Sequence, residues 1–333
     1  MQLGPIALRI IRWTTPGAIV FASHILIHIG CTEPSHNLEE APRKQVRIEP
    51  DAKVHYNRGV KYAELSQYEE AIDAFEQAIR VKADAAEAYF GLGTVYVRLS
   101  RHQEAITAFK QANNIRPDWA DVHHNLGIAQ RKIGRSQQAF ESFERAIRIN
   151  PEIAGAHFGL GQIHATFGRY QEAIGSYRET IRLEPEDWKA HSSLGLTYSN
   201  LGRHQEAVEA FGQALRIEPD SAESHCGLGC AYGNLHRPRE AIDAYKQAIN
   251  IRPDLAAAHY GLGREYAGLT RHQEAIGAYK QALRIEPNDP LSHFFLSLSY
   301  FMVDDDAAAR NEYKILKELD KEKAKELAKW LYE

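Results

Sequence analysis

The 333 residues are 44% hydrophobic and 25% charged, with a formal net charge of −4, the make-up of an ordinary water-soluble protein. Neither a basic balance nor a basic face is offered to a polyanion, so nucleic acid is not expected as a partner. Three cysteines, Cys31, Cys226 and Cys230, are too few for a disulfide framework and leave the compartment open.

Residues 1–31 form the first element. They carry Arg9 and Arg12, no acidic residue, and an apolar run from Gly17 to Gly30 that ends at Cys31. A basic start, an apolar stretch and small residues before a cut have the form of an export signal. The ending Ile29-Gly30-Cys31 resembles the lipobox of bacterial lipoproteins, which implies acylation at Cys31, although His28 stands where that pattern has an aliphatic residue. Cleavage after Ala22, an uncleaved membrane anchor, and a misassigned start or organellar presequence stay open. The expected location is the cell envelope, membrane-anchored with the rest of the chain on the non-cytoplasmic side; the alternative is cytoplasmic. Residues 32–51 are polar, hold Pro34, Pro42 and Pro50, and read as a linker.

From residue 52 the chain repeats itself. Prolines at 117, 151, 185, 219, 253 and 287 follow one another at 34 residues, and units begin at 52, 86, 120, 154, 188, 222, 256 and 290. A small residue recurs in one column (Gly59, Gly93, Gly127 and onward), an alanine in another (Ala71, Ala105, Ala139), and a large aromatic four residues after it (Phe75, Phe109, Phe143). His225, Leu228, Gly229 and Tyr232 follow the spacing of one helical face, as do Ala241, Ile242, Tyr245 and Ala248. Each unit is therefore expected to be two amphipathic helices, brought close by Gly and Ala, with the aromatic filling the gap between units. The proline ends the second helix. No run alternates as a strand would.

The last unit departs from this pattern, with Ser297 for glycine and Lys321 where proline would stand, and its first helix around Phe294, Phe295 and Leu298 is unusually apolar. The tail over 320–333 places Ala324, Leu327, Trp330 and Leu331 on one face and is expected to be a capping helix.

The leucine-glycine, tyrosine, alanine, aromatic, alanine and proline columns at 34 residues resemble the tetratricopeptide repeat over 52–323. The resemblance implies an all-α, right-handed α-solenoid of about eight helix-turn-helix units, with first helices lining a concave face. It implies a protein-interaction scaffold, not an enzyme, binding an extended peptide or partner protein there, with no cofactor. One column of that face holds Tyr56, Phe90, His124, Phe158, Ser192, Cys226, Tyr260 and Phe294; the next turn holds residues such as Val60, Cys230 and Arg264. Arg98, Arg131 and Lys132 are expected close by, ready for an acidic residue. The two-carboxylate clamp of chaperone adaptors needs a lysine in the Tyr56 column and an asparagine in the Val60 column, and neither is present. Where other members hold an asparagine ladder, this chain keeps only Asn57 and Asn125; the rest are Gly91, Gly159, Ser193, Gly227, Gly261 and Phe295, and the glycines are expected to open the groove floor.

Chemistry finds little else. Seven of the sixteen histidines share one repeat column and His102, His204 and His272 another, which marks them as packing or turn residues. Cys226 and Cys230, four apart on one helix, lack further ligands at metal-site spacing. They read as buried small hydrophobes, with a metal or redox pair as the alternative. No Walker, H-E-x-x-H or G-x-S-x-G sequence occurs. A cytosolic assembly subunit is the rival to an envelope scaffold.

Overall fold

The computed structural model describes residues 50–332; the segment before them, with Cys31 and most of the expected linker, lies outside the described residues. Among the described residues there are seventeen helices and no strand. They run as α1 (Pro50–Glu64), α2 (Tyr68–Val81), α3 (Ala86–Arg98), α4 (His102–Ile115), α5 (Ala120–Lys132), α6 (Ser136–Ile149), α7 (Ala154–Thr166), α8 (Tyr170–Leu183) and α9 (Trp188–Asn200). The series continues with α10 (His204–Ile217), α11 (Ala222–Asn234), α12 (Pro238–Ile251), α13 (Ala256–Gly268), α14 (His272–Ile285), α15 (Pro290–Phe301), α16 (Asp306–Leu319) and α17 (Lys321–Tyr332). None is both long and apolar enough to cross a membrane.

The chain divides into two compact blocks, one ending at Ile163 and one beginning at His164. In the N-terminal block α2 packs on α1 and α3, and α4 on α3 and α5. In the C-terminal block α10, α12 and α14 each pack on the helices before and after them. The architecture is an all-α solenoid of helix-turn-helix pairs.

Local chemistry sets the pairs. Inside each pair the chain reverses through one residue with positive φ: Ser66, Ser100 and Gly134 in the first block, Gly168, Gly202, His236, Thr270 and Asp304 in the second. That left-handed residue lets the last carbonyls of the first helix be met, as Arg101 N–H meets Tyr96 O at 2.8 Å. Between pairs, the histidine column closes the loop. Nε2 of His123, His157, His191, His225, His259 and His293 lies 2.8–3.0 Å from the carbonyl of the proline six residues earlier. A carbonyl only accepts, so Nε2 carries the proton in each.

The aromatic column makes the core. Phe75, Phe109, Phe143, Tyr177, Phe211, Tyr245 and Tyr279 are at most 3% exposed. Phe143 sits between two glycines: a Cβ built on Gly127 of its own pair would come within 2.7 Å of the ring, and one on Gly159 of the next pair within 2.5 Å. The glycines at 91, 159, 227 and 261 therefore do not open a groove floor as the sequence had implied. Each accommodates the ring of the preceding pair, Phe75, Phe143, Phe211 and Tyr245 in turn.

At the C-terminal end, Ala324 and Leu327 of α17 are buried with Phe294 and Leu316. Trp330 does not join them and is 56% exposed. At about 100° per residue, Ala324, Leu327 and Leu331 share a stripe and Trp330 falls at its margin.

Candidate functional site

The first helices of the N-terminal block carry Tyr56, Phe90, His124 and Phe158 at equivalent positions, and all four are half-buried. Three of them rest on the core aromatic of their own pair. Ring centroids are 5.8 Å apart for Tyr56 and Phe75, 5.8 Å for Phe90 and Phe109, and 6.0 Å for His124 and Phe143. Gly155 lets α7 approach α5 at this row, since a Cβ there would meet His124 Nε2 at 2.7 Å. The rings are thus footed in the core with one side left to solvent, the geometry of a rigid apolar surface.

One residue escaped the sequence reading. Trp119, in the loop before α5, lies 4.6 Å from Phe90 and widens the strip. The Arg116 guanidinium stacks 3.8 Å above the Trp119 ring and is held at 3.1 Å by Glu87. Burial pushes the Tyr56 phenol up, Glu87 adds to this and Arg116 opposes it. The signal was available: the Trp119 position varies from unit to unit as Ala85, Ile153, Ser221 and Leu255 do.

The cations sit at the other end of the same helices. Arg98 lies in the last turn of α3, and Arg131 and Lys132 in the last turn of α5. Arg98 is eight residues beyond Phe90 and Arg131 seven beyond His124, about 10–12 Å along the helix axes. Arg98 is exposed and its guanidinium is held below its usual range by burial, with Tyr68 pulling the other way. Lys132 is exposed, and its ammonium is lowered by burial and then by Arg131. His102 is lowered by burial and then by Lys132. Arg131, Lys132 and His102 thus lie close enough to feel one another's charge.

In the C-terminal block the predicted residues are not an open strip. Tyr260 is only 6% exposed and packs against Tyr279 at 5.9 Å and Phe295 at 6.0 Å. Arg264, one turn on, is bound to its neighbour Glu265. Phe294 is 8% exposed under α17. Ser192 Oγ accepts from the Ser224 hydroxyl at 3.1 Å. Cys226 is buried, and its thiol is pushed up to about 12 by burial first and then by Cys230 and Glu223. Burial raises Cys230 as well. Thiols so shifted are neutral at pH 7 and are poor nucleophiles and poor metal ligands. Among the described residues no group of three or more His, Cys, Asp and Glu side chains could hold a metal ion.

A family model described as the cilia and flagella-associated protein 70 C-terminal domain matches residues 29–261. A model of the tetratricopeptide repeat matches residues 256–289. No curated protein matches the sequence. Among solved structures, the hetero-tetramer Cut9–Hcn1 of APC/C is similar at a TM-score of 0.62 and 18% identity, with 80% of this chain and 53% of that one covered. The chain thus spans about half the length of that relative. The structure of pilF from Pseudomonas aeruginosa is similar at a TM-score of 0.57 and 17% identity, covering 63% of this chain and 96% of that one. At such identities both likenesses speak for the fold alone.

Proposed function

Since the chain belongs to the tetratricopeptide-repeat proteins and, over residues 29–261, to the family of the cilia and flagella-associated protein 70 C-terminal domain, we propose that it binds an extended protein segment along the first helices of its N-terminal block. A scaffold for protein interaction is the role the fold supports. The observation that carries the finer statement is the row of Tyr56, Phe90, His124 and Phe158. Three of these rings are braced on a buried aromatic, and Trp119 extends the row beside Phe90. Braced aromatics give contact area at little entropy cost and dominate binding hot spots.

The cations define the second half of the ligand. Arg98, Arg131 and Lys132 stand about 10–12 Å further along the helix axes than the ring-bearing residues, the reach of three or four extended residues. The segment is therefore apolar at its anchor, with an acidic side chain three or four positions away. Peptides selected by display against the protein test this directly. Selected sequences that lack this spacing, or that bind equally well after Phe90→Ala, would place the site elsewhere.

Envelope association is the companion proposal, and it rests on Arg9, Arg12, the apolar run and Cys31. The intact mass of the native protein decides it: acylation at Cys31 supports anchoring, and an unmodified Met1 on a protein from the soluble fraction refutes it.

A further inference from the structure

The array breaks its own packing rule at one place, on α13. In this column Val95, Ala129, Ile163, Thr197, Ala231 and Ser299 are buried and uncharged, the first repeat has the exposed Lys61, and the member on α13 is Glu265, 8% exposed. Glu265 Oε1 accepts from Arg264 Nε at 3.0 Å and Nη2 at 2.7 Å, and the two side chains are 9% and 17% exposed. Gly233 on α11 makes the room, because a Cβ there would collide with Glu265 Oε1 and Arg264 Nη2. Burying an ion pair costs desolvation that its attraction barely returns, and glycine inside a helix costs more again. Six other repeats fill this column with a buried uncharged residue, and the remaining one leaves Lys61 exposed, so packing does not demand a buried pair. Departures of this kind mark functional positions.

Beside the pair lies a small pocket. It has room inside for about 10 Å³, one water-sized group, and is lined by Cys226, Cys230, Tyr245, Tyr260 and Arg264 among others. Tyr260 Oη is buried with no hydrogen-bond partner, although a buried hydroxyl almost always has one. Tyr260 and Arg264 stand one helical turn apart on the same face. Nε and Nη2 of Arg264 are taken by Glu265, and Nη1 makes no protein hydrogen bond. Cys230 Sγ already accepts from Asn234 Nδ2 at 3.6 Å. What the pocket offers is N–H and O–H donors with no free acceptor of comparable strength. It offers no uncompensated positive charge either, since Glu265 balances Arg264.

We propose that this pocket receives the oxygen of an uncharged amide carbonyl, with the Tyr260 hydroxyl and the Arg264 Nη1–H as its donors. A carboxylate would meet Glu265 at close range in a poorly solvated site and gain little over a neutral oxygen. The amide belongs either to the main chain of a bound segment or to an Asn or Gln side chain. The inference rests on the proposal that first helices of this chain bind such segments, and it adds a subsite specific to α11 and α13.

The test uses the full chain and small probes, followed by NMR at the Arg264 Nε–H and the labelled Tyr260 ring. N-methylacetamide stands for the main chain, acetamide for the side chain and sodium acetate for a carboxylate, all at equal ionic strength. One of the amides should shift both signals to saturation, acetate binding at least ~10-fold more weakly. Whichever amide binds more tightly names the source. Tyr260→Phe removes an unpartnered hydroxyl, so its Tm should hold or rise while amide affinity falls about fivefold or more. Arg264 stays in place, because removing it would strand Glu265. Absence of amide shifts, acetate binding as tightly as the amides, or a Tm lowered by Tyr260→Phe would each overturn the proposal, the last by showing the hydroxyl already satisfied by a bound water only. The N-terminal strip is read separately, by a display-selected peptide and Phe90→Ala, so failed amide titrations here overturn the subsite and leave that strip standing.

Discussion

Replacing Gly159 by alanine sets two forces against each other, and the structure decides the sign. Helix propensity alone favours alanine in the middle of α7 by about 1 kcal/mol. The new Cβ, however, would lie 2.5, 2.6 and 2.8 Å from Cζ, Cε2 and Cε1 of Phe143, where ordinary contact needs 3.4 Å or more. The ring has no free volume to move into. It is 0% exposed, and Gly127 is packed so close to it that a Cβ there too would come within 2.7 Å of Cε1. Overpacking costs about 1–3 kcal/mol; with three ring atoms below 3 Å the upper part of that range, about 2–3 kcal/mol, applies, so the net loss should be about 1–2 kcal/mol. Urea unfolding followed by circular dichroism reads it. Gly175 and Gly277 are controls: nothing lies within 4 Å of a Cβ at either, so alanine there should stabilise by up to about 1 kcal/mol. Adding Phe143→Leu to Gly159→Ala should recover part of the loss. The reasoning is refuted if Gly159→Ala is as stable as the parent or gains what Gly175→Ala gains.

Thr270 holds φ at +59°, where a β-branched residue is strained, so Thr270→Gly should raise the urea midpoint by the equivalent of about 0.5–1 kcal/mol and the reverse change at Gly202, φ +73°, should lower it. His293 places Nε2 2.8 Å from the Pro287 carbonyl and Nδ1 2.6 Å from Glu312 Oε2, so both nitrogens donate and the ring is charged. Burial opposes that charge, but Glu312 and Pro287 outweigh it and raise the histidine above 6.5. A raised folded value means this contribution is complete below pH 6.5 and is lost as pH climbs through the folded value. Stability of the C-terminal block should fall over that window, and Glu312→Gln should flatten the slope.

The fold lay close to the surface of the sequence because a repeat displays each packing column many times over. Phe75, Phe109 and Phe143 recur at one spacing, and burial of that column follows from chain periodicity alone. The partner of each ring did not, since Gly159 meets Phe143 across two pairs and nothing in either residue's own helix reveals the contact. The same limit explains Tyr260. Its column reads as surface in α3 and α5, yet Phe295 and Tyr279 cover it in α13. Trp119 was overlooked because it stands in a loop, outside the helical columns. Glu265 was legible in hindsight as the one acidic member of its column, and only the structure shows Gly233 making way for it.

The central claim is that the first-helix strip of the N-terminal block binds an extended segment. Titration of one display-selected peptide against the parent, Phe90→Ala and Phe158→Ala proteins tests it most directly. Losing a buried aromatic anchor costs about 2 kcal/mol or more, so each variant should bind ~30-fold more weakly while keeping its helical signal and remaining folded under the titration conditions. Arg131→Ala should cost less and lose its effect at high salt. Affinity unchanged in both phenylalanine variants, with folding intact, would contradict the account.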